Sequence, residues 1–210
     1  MYRRIIVVFF LLMAWLGVDA QKIHALIEAG AAFSQIEGDE LKGFKQMGLN
    51  GGVGATIMLD SKERWALSTE ILLSQKGAFN NTGNPYSANI WLSYVEVPIM
   101  AQFRDPVGGI TFGAGLAYGR LVQQPHNAIK YPNGFIPDTT DFSFLKNDIE
   151  AVIDIRFPVW RSLLLNLRWQ HSIVAVKRDW MFTEMKGAEV TTRTNNCYNH
   201  SISMRLIYQL

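Results

Sequence analysis

Residues 91–103 read WLSYVEVPIMAQF. A strand points successive side chains to opposite faces, and that rule splits the stretch in two. Trp91, Ser93, Val95, Val97, Ile99, Ala101 and Phe103 form an apolar face with an aromatic at each end. Leu92, Tyr94, Glu96, Pro98, Met100 and Gln102 form a mixed face that carries a carboxylate. A typical globular strand has about 5–6 residues, whereas about 9–11 tilted residues cross a bilayer. An apolar face bounded by aromatics and backed by a polar face is the pattern of a membrane β-barrel strand.

Seven further strands are predicted around this one. Upstream they cover 24–36, 46–59 and 63–76; downstream they cover 110–123, 142–157, 162–176 and 197–210. The alternation is cleanest in 110–123, where Ile110, Phe112, Ala114, Leu116 and Tyr118 oppose Thr111, Gly113, Gly115, Ala117 and Gly119. Glycine weakens a strand unless something must approach closely. A glycine-rich face, repeated at Gly52 and Gly54, therefore suits the crowded interior of a small barrel. The connections alternate between long polar loops (38–45, 77–87, 124–141, 177–196) and short turns (60–62, 104–109, 158–161). An even strand count with this asymmetry predicts an all-β, eight-stranded antiparallel up-and-down transmembrane β-barrel, with both termini on the short-turn side. Aromatics supply two belts: Trp65, Phe103, Phe157, Trp160 and Tyr208 near the turns, and Trp91, Tyr118, Phe142, Phe144 and Tyr198 near the loops. A soluble lipocalin-like barrel has the same alternation with its faces exchanged. The glycine face, the belts and the loop asymmetry favour the membrane form.

Composition agrees. The chain is 18% charged, below the roughly 25% usual for soluble domains. Residues 1–20 have the pattern of a signal peptide: Arg3 and Arg4, an apolar run, then Val18-Asp19-Ala20 before Gln21. The run is shorter than the ~20 residues of a spanning helix, so removal is expected rather than anchoring, leaving 21–210 as the barrel domain. Loss of Arg3, Arg4 and Asp19 brings the formal charge of +2 close to neutral. There is no basic stripe, which argues against nucleic acid as a partner. Cys197 is the only cysteine, so no internal disulfide forms.

By parity the lumen receives Glu28, Glu70, Glu96, Glu150 and Asp154, with Arg64, Arg104, Arg156, Arg168 and Arg205. Eight strands leave an interior that side chains just fill, and charges there must pair. The bland interpretation is a structural ion-pair plug. The sharper one is a narrow, gated ion or proton path, with Glu70, Glu96, Asp154, Arg156 and Arg168 as its candidate residues. Glu96 is expected to pair with a lumenal arginine. Catalysis has little support. His171-Ser172 and His200-Ser201 are adjacent pairs, so each histidine faces away from its serine, and a triad needs them aligned. His24 and His126 have no neighbours at metal-ligand spacing. No catalytic residue, cofactor or metal is expected.

Tyr94-Val95-Glu96-Val97-Pro98, followed by the glycine-rich strand within 108–117, resembles the PorT-like outer-membrane β-barrel family of Bacteroidota. The leader ending at Ala20-Gln21 is similar to those of that group. The resemblance implies a small non-enzymatic barrel in the outer membrane, in contact with outer-membrane lipid and with envelope or secretion-complex proteins. It also implies an association with type IX secretion. The alternative is a narrow pore or solute channel.

Overall fold

The computed structural model describes residues 22–39, 43–80, 87–124, 129–130, 143–186 and 189–210. Ten strands form: β1 (Ile23–Glu37), β2 (Gln46–Met58), β3 (Trp65–Asn80), β4 (Ser87–Arg104), β5 (Thr111–Gln123), β6 (Ile129–Lys130), β7 (Asn147–Trp160), β8 (Leu163–Ser172), β9 (Lys177–Lys186) and β10 (Glu189–Gln209). Eight of them make the wall, hydrogen-bonded in the order β1-β2-β3-β4-β5-β7-β8-β10 and antiparallel throughout. β1 pairs back onto β10, from Leu26 opposite Gln209 to Glu37 opposite Tyr198, and this seam closes the cylinder. The two-residue β6 adds to the loop end of β4, and β9 forms a hairpin with β10.

The short turns follow from their residues. Asp60 Oδ1 accepts the backbone N–H groups of Arg64 and Trp65, both at 2.8 Å, and folds the chain between β2 and β3. Between β4 and β5, Asp105 accepts from the Gly108 and Gly109 amides. Gly109 sits at φ +69°, a left-handed conformation that glycine adopts without steric cost. Lys22, where the described residues begin, and Leu210 both lie on this side, as the alternation of loops and turns predicts.

The two faces segregate as the parity requires. Ile99 is 57% exposed and Leu73 65%, whereas Glu96 and Arg168 on the other face are at most 1% exposed. Exposed large apolar residues occur on every wall strand. That is far more than the few hundred Å² of contiguous apolar surface typical of a soluble monomer. Trp65 and Phe103 pair at 5.0 Å between ring centroids at the turn end, where Trp160 and Tyr208 also face out. Closure satisfies the backbone, which lipid demands, and the apolar wall with a charged interior excludes the lipocalin arrangement. The chain is an eight-stranded outer-membrane-type barrel. No helix among the described residues is long and apolar enough to cross a membrane; strands do the crossing.

Several expectations change in detail. The stretch 177–196, predicted as a loop, is mostly the β9–β10 hairpin, which extends the wall outward. Its alternation carries polar residues on both faces, so it lacks the apolar signature of a lipid-facing strand. β3 and β4 run further into 77–87 than predicted. Phe144, assigned to the outer belt, is buried inside at 6% exposure; its even number already places it on the inward parity of β7. Phe142, most of the 124–141 loop and the leader 1–20 lie outside the described residues.

Candidate functional site

The lumen is stacked in layers. The layer nearer the turns contains three carboxylates, Glu28, Glu70 and Asp154, and three guanidiniums, Arg156, Arg168 and Arg205, all nearly or fully buried. Arg168 bridges Glu70 and Asp154: its Nη1 lies 2.8 Å from Glu70 Oε2 and its Nη2 2.9 Å from Asp154 Oδ2. Arg156 Nη2 donates to Glu70 Oε1 at 2.7 Å. Arg205 Nη1 reaches Glu28 Oε2 at 3.1 Å, and its Nε and Nη2 both donate to Asn166 Oδ1. Glu70 is the hub, within 4 Å of three guanidiniums. Equal numbers of charges and dense hydrogen bonding are what a buried ionic cluster requires.

Glycines make room for this layer. A Cβ on Gly113 would collide with the Asp154 carboxylate, and one on Gly54 would lie 2.8 Å from Glu70 Cγ. The glycine face read from the sequence is therefore the floor on which the carboxylates lie.

The next layer outward is built differently. Lys76 Nζ lies between Glu96, 2.6 Å from its Oε1, and Glu150, to whose Oε1 it donates. Gln170 Nε2 ties the two carboxylates together, at 3.1 Å from Glu96 Oε2 and 2.8 Å from Glu150 Oε2. Just above, Asp148 Oδ2 accepts from Ser172 Oγ at 2.8 Å and from Asn199 Nδ2 at 2.9 Å, and Asn199 also donates to the Tyr94 hydroxyl. One ammonium thus serves two carboxylates, and the third, Asp148, is held by neutral donors.

The outer mouth is closed by apolar packing. Ile36, Ile90, Leu92, Leu121, Phe144 and Trp180 belong to one buried cluster that includes Tyr94. Lys177 Nζ sits 5.1 Å from the Trp180 ring and 5.5 Å from the Phe144 ring, at the edge of the cluster.

The five predicted site residues all face the lumen, but they divide between layers. Glu70, Asp154, Arg156 and Arg168 share the turn-side layer, and Glu96 belongs to the next. Glu96 pairs with Lys76 rather than with an arginine. Arg64 and Arg104 are exposed at the turns rather than lumenal: Arg64 precedes β3, and Arg104 is the last residue of β4, at the rim beyond the packed interior. Lys76 and Asp148 escaped the lumen assignment. Lys76 fell on the last residue of a predicted strand, and Asp148 had no recognised partner; the greater length of β3 sets Lys76 well inside.

No family model and no curated protein sequence matches the chain. Solved structures are similar in general form. Ail, the attachment invasion locus protein of Yersinia pestis, is 11% identical with a TM-score of 0.47, over 89% of this chain and 98% of that one. Neisserial surface protein A is 10% identical with a TM-score of 0.47, over 91% and 100%. OprG from Pseudomonas aeruginosa is 10% identical with a TM-score of 0.44, over 90% and 95%. At such low identity and TM-score, no function carries over from these proteins.

Proposed function

We propose that the chain is a non-enzymatic, non-conducting outer-membrane barrel that serves as a structural or accessory component of an envelope assembly, with the leader 1–20 removed on export. The observation that carries this reading is the doubly closed lumen. Two ionic layers fill its turn-side and middle parts, and an apolar cluster seals its outer mouth. A barrel sealed in this way has its lipid-facing wall and its outer extensions left for interaction. The β9–β10 hairpin is the described part of that outer surface. The resemblance of 94–98 and 108–117 to PorT-like barrels of Bacteroidota points to secretion machinery of the type IX class as the assembly to examine first.

Crosslinking in intact cells from the outer hairpin, followed by extraction, tests the accessory role. Discrete adducts with envelope proteins are the expected result; a barrel that crosslinks only to itself or to lipid counts against it. The second reading is a narrow gated pore. It draws on Glu70, which three guanidiniums share, so that exchange of pairs would open a path. Steady conductance would favour that reading.

A further inference from the structure

Two histidines separated by 29 positions in the chain meet at the outer rim. His171 on β8 stands directly opposite His200 on β10, and their rings are 5.1 Å apart in an edge-on arrangement. Glu37, the last residue of β1, completes the group. Its Oε2 lies 3.8 Å from His171 Nε2, and one ligand atom from each of the three residues falls within 4.8 Å of the others. Glu37 and His171 line a cleft of about 690 Å³ together with Asn195, Asn196 and Tyr198, and His200 lies beside it against the His171 ring.

We propose that Glu37, His171 and His200 form a binding site for a divalent transition-metal ion, which staples the closing seam of the barrel at its outer end. Two imidazoles and one carboxylate are a donor set suited to zinc and its neighbours, with positions left open for water or an external ligand. Zinc bonds of about 2.0–2.2 Å in tetrahedral geometry place ligand atoms about 3.3–3.6 Å apart. The present spacing reaches that with small side-chain movements, and Glu37 is free to make them because its side chain is 59% exposed. His171 Nδ1 has no hydrogen-bond partner among the described residues, and its Nε2 is too far from Glu37 for a hydrogen bond. The ring therefore lacks the bonds that would hold it to a purely structural role.

His200 is already oriented. Its Nε2 accepts from Trp169 Nε1 at 2.6 Å, and its Nδ1 lies 3.4 Å from the Gln35 amide. Ligation through Nε2 exchanges the indole bond for the metal bond. Nδ1–H is then left for the Gln35 amide oxygen, which turns to it from the Gly43 N–H that it accepts in the free site and becomes the usual outer contact of a metal-bound histidine. The ligands come from β1, β8 and β10, so the ion ties the first strand of the barrel to its last two. The competing account is an aromatic belt alone, since His171 stacks on Trp169 and Tyr198 and Phe44 meets His200 edge-on.

Calorimetric titration of the untagged, detergent-folded barrel with Zn²⁺ separates the two. The proposal expects one ion per barrel and a rise in the unfolding temperature that grows with free Zn²⁺, as binding to the folded form requires. His171→Ala and His200→Ala each weaken binding by about tenfold or more and abolish the thermal shift. His24→Ala, at the opposite rim, leaves both unchanged. His171→Asn and His200→Asn replace any alanine variant that does not close into a barrel. Absence of Zn²⁺ uptake, or equal uptake in the wild type and the histidine variants, would overturn the site and leave the aromatic belt as the account.

Discussion

Lys76 is the residue on which the middle of the lumen depends. Its ammonium is the cation that Glu96 and Glu150 both contact, and it is buried to 1% exposure. Removing one member of a buried ionic group leaves uncompensated charge and costs about 3–5 kcal/mol. Lys76→Met is therefore expected to lower the urea midpoint of the folded barrel more than Glu96→Gln, which keeps the shape and leaves Lys76 with Glu150. Equal midpoints for the two variants would contradict this arrangement. Gly113→Ala acts on the neighbouring layer. The new methyl group displaces the Asp154 carboxylate from Arg168, so the variant should lose heat resistance relative to the wild type. Lys76 also shows where the sequence stopped being legible. Parity told which side each residue faces, but not where a strand ends, so a lysine on a predicted strand boundary went unassigned.

At the scale of single elements, alternation carried most of the information. β4 from Trp91 to Phe103 and β5 from Thr111 to Leu121 follow their predicted faces, because one face meets lipid and the other meets charge. The outer hairpin was illegible for the opposite reason: outside the bilayer neither face of β9–β10 must be apolar, so its alternation carries no hydropathy signal. The pairing of His171 with His200 was equally invisible, since register between β8 and β10 is a property of two strands together. The turns make their own prediction. Glu63 is held below the usual carboxylate range, chiefly by the hydrogen bond that Lys22 donates at 2.5 Å and by that ammonium's charge. A carboxyl lowered in the folded state adds stability above its unfolded value of about 4.3. That stability is lost as pH falls through the lowered folded value. Wild type should therefore exceed Glu63→Gln in unfolding temperature at pH 7 and match it in strong acid. The margin should be small and salt-sensitive, because both side chains are partly exposed. A margin that persists unchanged in acid would show that the pair is not its source.

At the scale of the whole molecule, the inside-out order of the faces determines what the protein does. An arginine on the lipid face near mid-membrane costs about 2–4 kcal/mol, and near the interface little. Ile99→Arg, in the middle of β4, should accordingly impair folding into lipid vesicles, whereas Val107→Arg, in the turn and 94% exposed, should be neutral. Comparable losses at both positions would mean that Ile99 does not face lipid. The eight-stranded barrel and its polarity were readable from the sequence because bilayer thickness and pleat period constrain every strand alike. The seal of the outer mouth was not readable, since Ile36, Leu92 and Trp180 come from three strands and Phe144 from the segment leading into β7, and they converge only when the cylinder closes.

The closed lumen is the central claim, and conductance in planar bilayers tests it most directly. The purified barrel, reconstituted at neutral pH, should give no steady open steps across the range of potentials a bilayer tolerates. A variant that removes the apolar seal, Leu92→Gly with Phe144→Gly, should still be held shut by the two ionic layers. Steady single-channel steps from the wild-type protein would contradict the closed lumen and make the gated pore the better account.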